Sequence, residues 1–171
     1  MKNRTVPNFS AGILTISDTR SLGLRADTAT SLLHRLLEDA GFAVVETALV
    51  PDEARQIQER LIDCADRLNL AMVVTTGGTG FGPRDVTPEA TRGVIEREAP
   101  GLAEAMRTVT AQRHPLAWLS RGVVGLRKQT LIVNLPGNPE GAEECLRVVL
   151  PLLPHALAMV EGAGHVEPDA R

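Results

Sequence analysis

Four polar segments, each directly behind a run of apolar residues, hold the side chains of this 171-residue chain best suited to chemistry. They are Ser17-Asp18-Thr19, Pro51-Asp52-Glu53, the long stretch Thr76-Gly77-Gly78-Thr79-Gly80-Phe81-Gly82-Pro83-Arg84-Asp85, and Pro136-Gly137-Asn138-Pro139. The glycine-rich stretch carries the strongest signal. Glycines let successive backbone N–H groups turn inward around a phosphate, and the segment leads into a helix start, where anions are favoured. It is not a Walker loop, since no Gly-Lys-Ser/Thr follows, and Gly78, Gly80 and Pro83 do not reproduce the dinucleotide fingerprint either. The competing reading is a turn that only packs strand against helix.

Asp52 and Asp85 are each open to two readings. Asp52 is a helix N-cap or a metal-holding carboxylate; Asp85 is a loop partner of Arg84 or of the backbone, or a second such carboxylate. Two carboxylates beside a polyphosphate suit Mg²⁺, which keeps several waters and bridges one or two protein oxygens to substrate phosphates. Ser17 and Asp18 fit a turn or cap as well as a ligand contact. Phe81 reads as a ligand contact or as packing under its loop, and Trp118 as packing. His34, His114, His155 and His165 show no ligand spacing.

The elements that must position these groups alternate. Gly12–Ile16 is an apolar strand, and Leu32, Leu33, Leu36, Leu37 and Ala40 recur at helical spacing up to Gly41. A second strand is expected from Phe42 to Val50. A helix capped by Asp52 follows, with Ile57, Leu61, Cys64 and Leu68 as its stripe, then a third strand over Ala71–Thr75. Thr87-Pro88-Glu89 marks a helix start with Thr87 as cap. Arg121–Leu126 and Thr130–Leu135 read as two strands joined by a polar turn, before a helix from about Glu140 that breaks near Pro151 and Pro154. This order predicts a three-layer α/β/α domain over residues 10–162, its sheet mostly parallel with one antiparallel strand, and flexible ends at 1–9 and 163–171. Parallel strands bring all four polar segments to one rim, where such sheets bind ligands.

Composition narrows the function. The core is aliphatic, with 43% hydrophobic but only 2% aromatic residues, which excludes a stacking platform for single-stranded nucleic acid. A net charge of -3 argues against general phosphate-backbone binding. Cys64 and Cys145 lie in helical patterns and read as buried thiols, and no apolar run is long enough to span a bilayer, which together with the absence of a leader pattern predicts a cytoplasmic protein.

The run from Gly77 to Thr91 closely resembles the molybdopterin adenylyltransferase family, which includes the bacterial MogA type and the G domains of gephyrin and its plant counterparts. Further matches are Leu14–Thr19, Val50–Glu53, Leu119–Arg121, Thr130–Pro139 and Leu150–Ala156. The resemblance implies a homotrimer of the molybdopterin-binding fold that uses Mg²⁺ and ATP to adenylylate molybdopterin, releasing pyrophosphate. It implies Asp52 and Asp85 as catalytic carboxylates that hold the metal. It also implies a substrate and nucleotide site drawn from Ser17, Asp18, Thr76, Gly77, Gly78, Thr79, Gly80, Arg84, Ser120, Pro136, Gly137 and Asn138. Contact with molybdopterin synthase or the molybdenum insertase is implied too. Asp27-Thr28-Ala29-Thr30 departs from the family pattern, and only Asp27 is carried over. Related paralogs of the MoaB type supply the alternative, a molybdopterin-binding carrier or oligomeric scaffold without catalysis.

Overall fold

The computed structural model describes residues 8–162. Six strands form one sheet: β1 (Ser10–Ile16), β2 (Ala43–Val50), β3 (Met72–Thr76), β4 (Arg97–Glu98), β5 (Val124–Arg127) and β6 (Thr130–Leu135), in the spatial order β2-β1-β3-β6-β5-β4. β1, β2, β3 and β6 run parallel, and β5 is antiparallel to both β6 and β4. The three-layer architecture and the single reversed strand are as expected from the sequence.

Alternation along the three central strands builds two cores. Ala11, Ile13, Met72, Val74, Leu131, Val133 and Leu135 meet α2 (Thr28–Asp39), α5 (Pro100–Thr110), α6 (Pro139–Val149) and α7 (Leu153–Val160) on one face. Leu14, Ile16, Val73 and Ile132 meet α3 (Ala54–Ile62), the wider helical turn that continues it over Asp63–Arg67, and α4 (Thr87–Arg92) on the other. A four-residue helix, α1 (Asp18–Ser21), follows β1 directly.

Several local expectations are corrected. Asp52 does not cap α3: the cap position is Glu53, without a side-chain bond, and Asp52 instead receives the Asp18 amide. Thr87 is the first residue of α4, not its cap; its hydroxyl donates to the Gly77 carbonyl at 2.8 Å. α5, β4 and the 3₁₀ turn Pro115–Leu119 were not foreseen. That turn leaves Trp118 58% exposed, so it does not pack, and Phe81 is 71% exposed, so it does not lie under its loop. Phe9 is buried beside Phe42, ring centroids 6.3 Å apart. Asn8 is exposed, and the rest of the expected flexible ends, residues 1–7 and 163–171 with His165, lies outside the described residues.

Candidate functional site

The parallel register carries Ile16, Val50, Thr76 and Leu135 to the same edge of the sheet, so the four polar segments converge as anticipated. The glycine loop is folded by what cannot fit beside it. Gly77 has φ +108°, and a Cβ there would overlap the Ile16 carbonyl oxygen. Gly78 has φ +64°, and its Cβ would overlap the Thr87 hydroxyl and lie 3.1 Å from Asp52 Oδ1. Side chains at these two positions are therefore excluded on both backbone and steric grounds. Thr87 closes the loop, its amide donating to Gly78 O at 3.1 Å while its hydroxyl holds Gly77 O. Among the described residues the amides of Gly78, Thr79 and Gly80 have no protein acceptor, which leaves them free for oxyanions.

Two residues that the sequence did not single out position this loop, and a third, Arg107, holds the segment beside it. Arg121 donates to Gly80 O at 2.7 Å and to Asp85 O at 2.6 Å, pairs with Glu89, and its amide reaches Thr79 O at 2.9 Å. Asn134, buried on β6, donates to the Thr75 and Thr91 hydroxyls at 3.0 Å each and accepts from Val123 N at 3.1 Å. It thereby ties the end of β3 to α4, the two supports between which the loop hangs. Arg107 on α5 donates to Gly122 O at 3.0 Å, holding the strand approach behind Ser120.

The carboxylates form a linked pair of loops. Asp18 N donates to Asp52 Oδ2 at 2.8 Å and Asp52 N to Asp18 Oδ1 at 3.0 Å. Arg84 grips both Asp18 oxygens at 3.0 and 3.1 Å and reaches Glu53 at 3.0 Å. The Arg84 hydrogen bonds hold Asp18 below the usual carboxylate range, whereas desolvation, reinforced by the charges of Asp18 and Asp85, pushes Asp52 up. Asp85 Oδ2 accepts from Gly82 N at 2.8 Å.

Two cavities adjoin at this rim. The larger, about 520 Å³, runs from Gly78, Thr79, Gly80 and Asp85 past Ser120 to Met106, Leu116 and Leu119. The smaller, about 370 Å³, is lined by Ser17, Arg20, Arg25, Asp52, Gly77, Gly78 and Asp85, with Gly137 to Pro139. Gly78, Asp85, Gly137 and Asn138 line both. Pro136 and Ser120 line the larger cavity alone. Thr76 departs from the expectation: it is fully buried, lines neither cavity, and spends its hydroxyl on Pro136 O at 2.8 Å. Asp18 and Arg84 also line neither and serve to hold Asp52 and its loop. Asp27 caps α2 through the Thr30 amide at 3.2 Å.

No cluster of three or more metal-binding side chains occurs among the described residues. The donor set is the pair Asp52 and Asp85, each with one oxygen held by a backbone amide and one without a hydrogen-bond partner there. That set fits Mg²⁺ bound mostly through water and phosphate, and does not fit a protein-only cage.

Residues 12–155 match a family model described as "Probable molybdopterin binding domain". The chain belongs to this family. Molybdopterin-binding-domain relatives include the molybdopterin adenylyltransferase of Escherichia coli (strain K12), 43% identical over 81% of this chain and 72% of that protein. The molybdenum cofactor synthesis protein cinnamon of Drosophila melanogaster is 42% identical over 90% of this chain, which spans only 26% of that longer protein. The crystal structure of the molybdopterin biosynthesis enzyme MoaB from Thermus thermophilus superposes with a TM-score of 0.86 at 52% identity, covering 90% of this chain and 97% of that one. The molybdopterin-binding-domain fold and its place in molybdenum cofactor biosynthesis are thus shared with relatives that cover most of the chain.

Proposed function

We propose that the protein transfers AMP from ATP to the terminal phosphate of molybdopterin. The observation that carries this reading is the pair of cavities meeting at Gly78, Asp85, Gly137 and Asn138: a group-transfer enzyme must hold two substrates with their reacting ends at one border. The nucleophile is an oxygen of the molybdopterin phosphate, whose second pKa near ~6 leaves it mostly dianionic at neutral pH, so no general base is needed. That oxygen bonds to the α-phosphorus of ATP; the bond from this phosphorus to the bridging oxygen breaks, and pyrophosphate leaves with the electron pair.

What the protein supplies is position and charge. The free amides of Gly78, Thr79 and Gly80 face oxyanions, Arg121 holds their loop in shape, and Arg84 with Asp18 fixes the Asp52 backbone and carboxylate. Asp52 and Asp85 are the residues that would hold Mg²⁺, which when bound neutralises charge on the polyphosphate. In the same reading the protein works in the cytoplasm as a homotrimer that contacts molybdopterin synthase or the molybdenum insertase. No helix among the described residues is long and apolar enough to cross a membrane.

The test is formation of pyrophosphate and adenylylated pterin by purified protein given ATP, Mg²⁺ and fresh molybdopterin, beside an Asp85→Ala variant. Turnover that needs all three components and is lost in the variant is expected. Tight pterin binding without any ATP-dependent product would replace the enzyme with the carrier.

A further inference from the structure

The most unusual side chain at the rim is Arg20. It is 6% exposed, and among the described residues it is the only charged side chain buried to that degree. A guanidinium stays protonated and carries five donors, so burying one demands partners. Arg20 has almost none. Nη2 makes one long bond, 3.4 Å, to Gly137 O, and Nε is buried without any partner. Of the part-buried arginines elsewhere, Arg127 is matched with Asp66, Arg60 with Glu46 and Asp63, and Arg121 with Glu89, while Arg107 has two backbone carbonyls, Ser120 O and Gly122 O. Arg20 makes no ion pair among the described residues, although Asp18 stands two residues away and Asp52 and Asp85 line the same small cavity.

We infer that Arg20 binds a phosphoryl oxyanion in the smaller cavity, completing with a ligand the partners that the protein withholds. Several features of the cavity suit that guest. Arg25 adds a second positive charge to its lining, Gly78 contributes a free amide, and the Asp52–Asp85 pair fits a metal that phosphate oxygens would share. A purely internal brace on Gly137 does not account for the arrangement, because a single 3.4 Å contact leaves the buried Nε unsatisfied. The inference rests on the two-substrate reading only for the anion's source, which is either the ATP polyphosphate or the phosphate monoester of molybdopterin.

Calorimetric titration of the intact protein with inorganic pyrophosphate, ATP and molybdopterin, in wild type, Arg20→Gln and Arg20→Lys, separates the cases. Loss of a charged hydrogen bond should weaken the phosphate carrier that Arg20 holds by about tenfold or more in Arg20→Gln. Arg20→Lys should recover part of this, having the charge without the planar fork. A loss for ATP with molybdopterin unchanged assigns the nucleotide phosphates; the converse assigns the monoester. The melting temperature without ligand should not fall in Arg20→Gln, whereas an internal brace predicts a lower melting temperature with unaltered affinities. Weakened pyrophosphate binding supports the inference even if wild type fails to transfer AMP, and active transfer with affinities within twofold overturns it while sparing the enzyme reading. Absence of binding of all three ligands by wild type overturns it as well.

Discussion

Gly78→Ala tests how the glycine loop is built, because its cost divides into two separable parts. An L-residue at φ +64° costs roughly 1–2 kcal/mol. The new methyl also overlaps the Thr87 hydroxyl, which is fully buried and held by Gly77 O; overpacking of this kind costs about 1–3 kcal/mol. The single variant should therefore lose about 2–5 kcal/mol. Thr87→Ala alone should lose about 1–3 kcal/mol, since it leaves the Gly77 carbonyl without its donor. In the double variant the overlap vanishes, so the combined loss should fall short of the sum by about 1–3 kcal/mol. Thr87→Val is the control: it breaks the hydrogen bond but keeps an atom in the way, and should restore additivity with Gly78→Ala. Urea unfolding at pH 7, with unchanged m-values, measures the whole set against wild type. Additivity of Gly78→Ala and Thr87→Ala within about 0.5 kcal/mol would refute the steric account and leave backbone conformation as the whole effect.

Asp52→Asn should raise the melting temperature at neutral pH while cutting turnover at least a hundredfold. Desolvation and its acidic neighbours raise the folded-state pKa of Asp52 above its unfolded value, so its ionisation weakens the fold as pH rises through that interval; the variant's advantage should shrink on acidification towards pH ~4. A variant that melts lower than wild type at pH 7 would contradict this sign. Arg121→Met should cost about 2–4 kcal/mol, since its bonds to Gly80 O and Asp85 O are part-buried, and should raise KM for both substrates by disordering the wall between the cavities; a change confined to stability would remove Arg121 from the site. Burial pushes the Cys64 and Cys145 thiols up to about 11, so neither should react with a disulfide reagent at pH 8 within minutes unless the protein is unfolded first.

The elements legible in the sequence are those whose signal is local. Met72–Thr76 and Thr130–Leu135 are near-continuous apolar runs because both faces of the sheet are covered, and the residues behind them could be placed on one rim from parallelism alone. α5 was illegible because its buried face is Ala103, Met106 and Thr110, small or polar for the most part. Trp118 and Leu116 look like core residues by type, yet the 3₁₀ turn directs them outward. Arg20, Arg121 and Asn134 escaped notice for a different reason. The carbonyls and hydroxyls that their side chains bind come from residues 36 to 117 positions away, and no spacing along the chain announces such a contact.

The order β2-β1-β3-β6 has a consequence during synthesis. β3 sits between the first strand of the chain and one of its last, so while the ribosome is still making residues before Thr130, Met72–Thr76 has β1 on one side and an open hydrogen-bonding edge on the other. The glycine loop is exposed on the nascent chain before Asn134 or Gly137 exists to shape it. Such an apolar edge invites pairing with other chains. Truncations that stop between Thr76 and Thr130 should therefore aggregate rather than accumulate as soluble fragments, and ligand binding should arise only with the final quarter of the polypeptide.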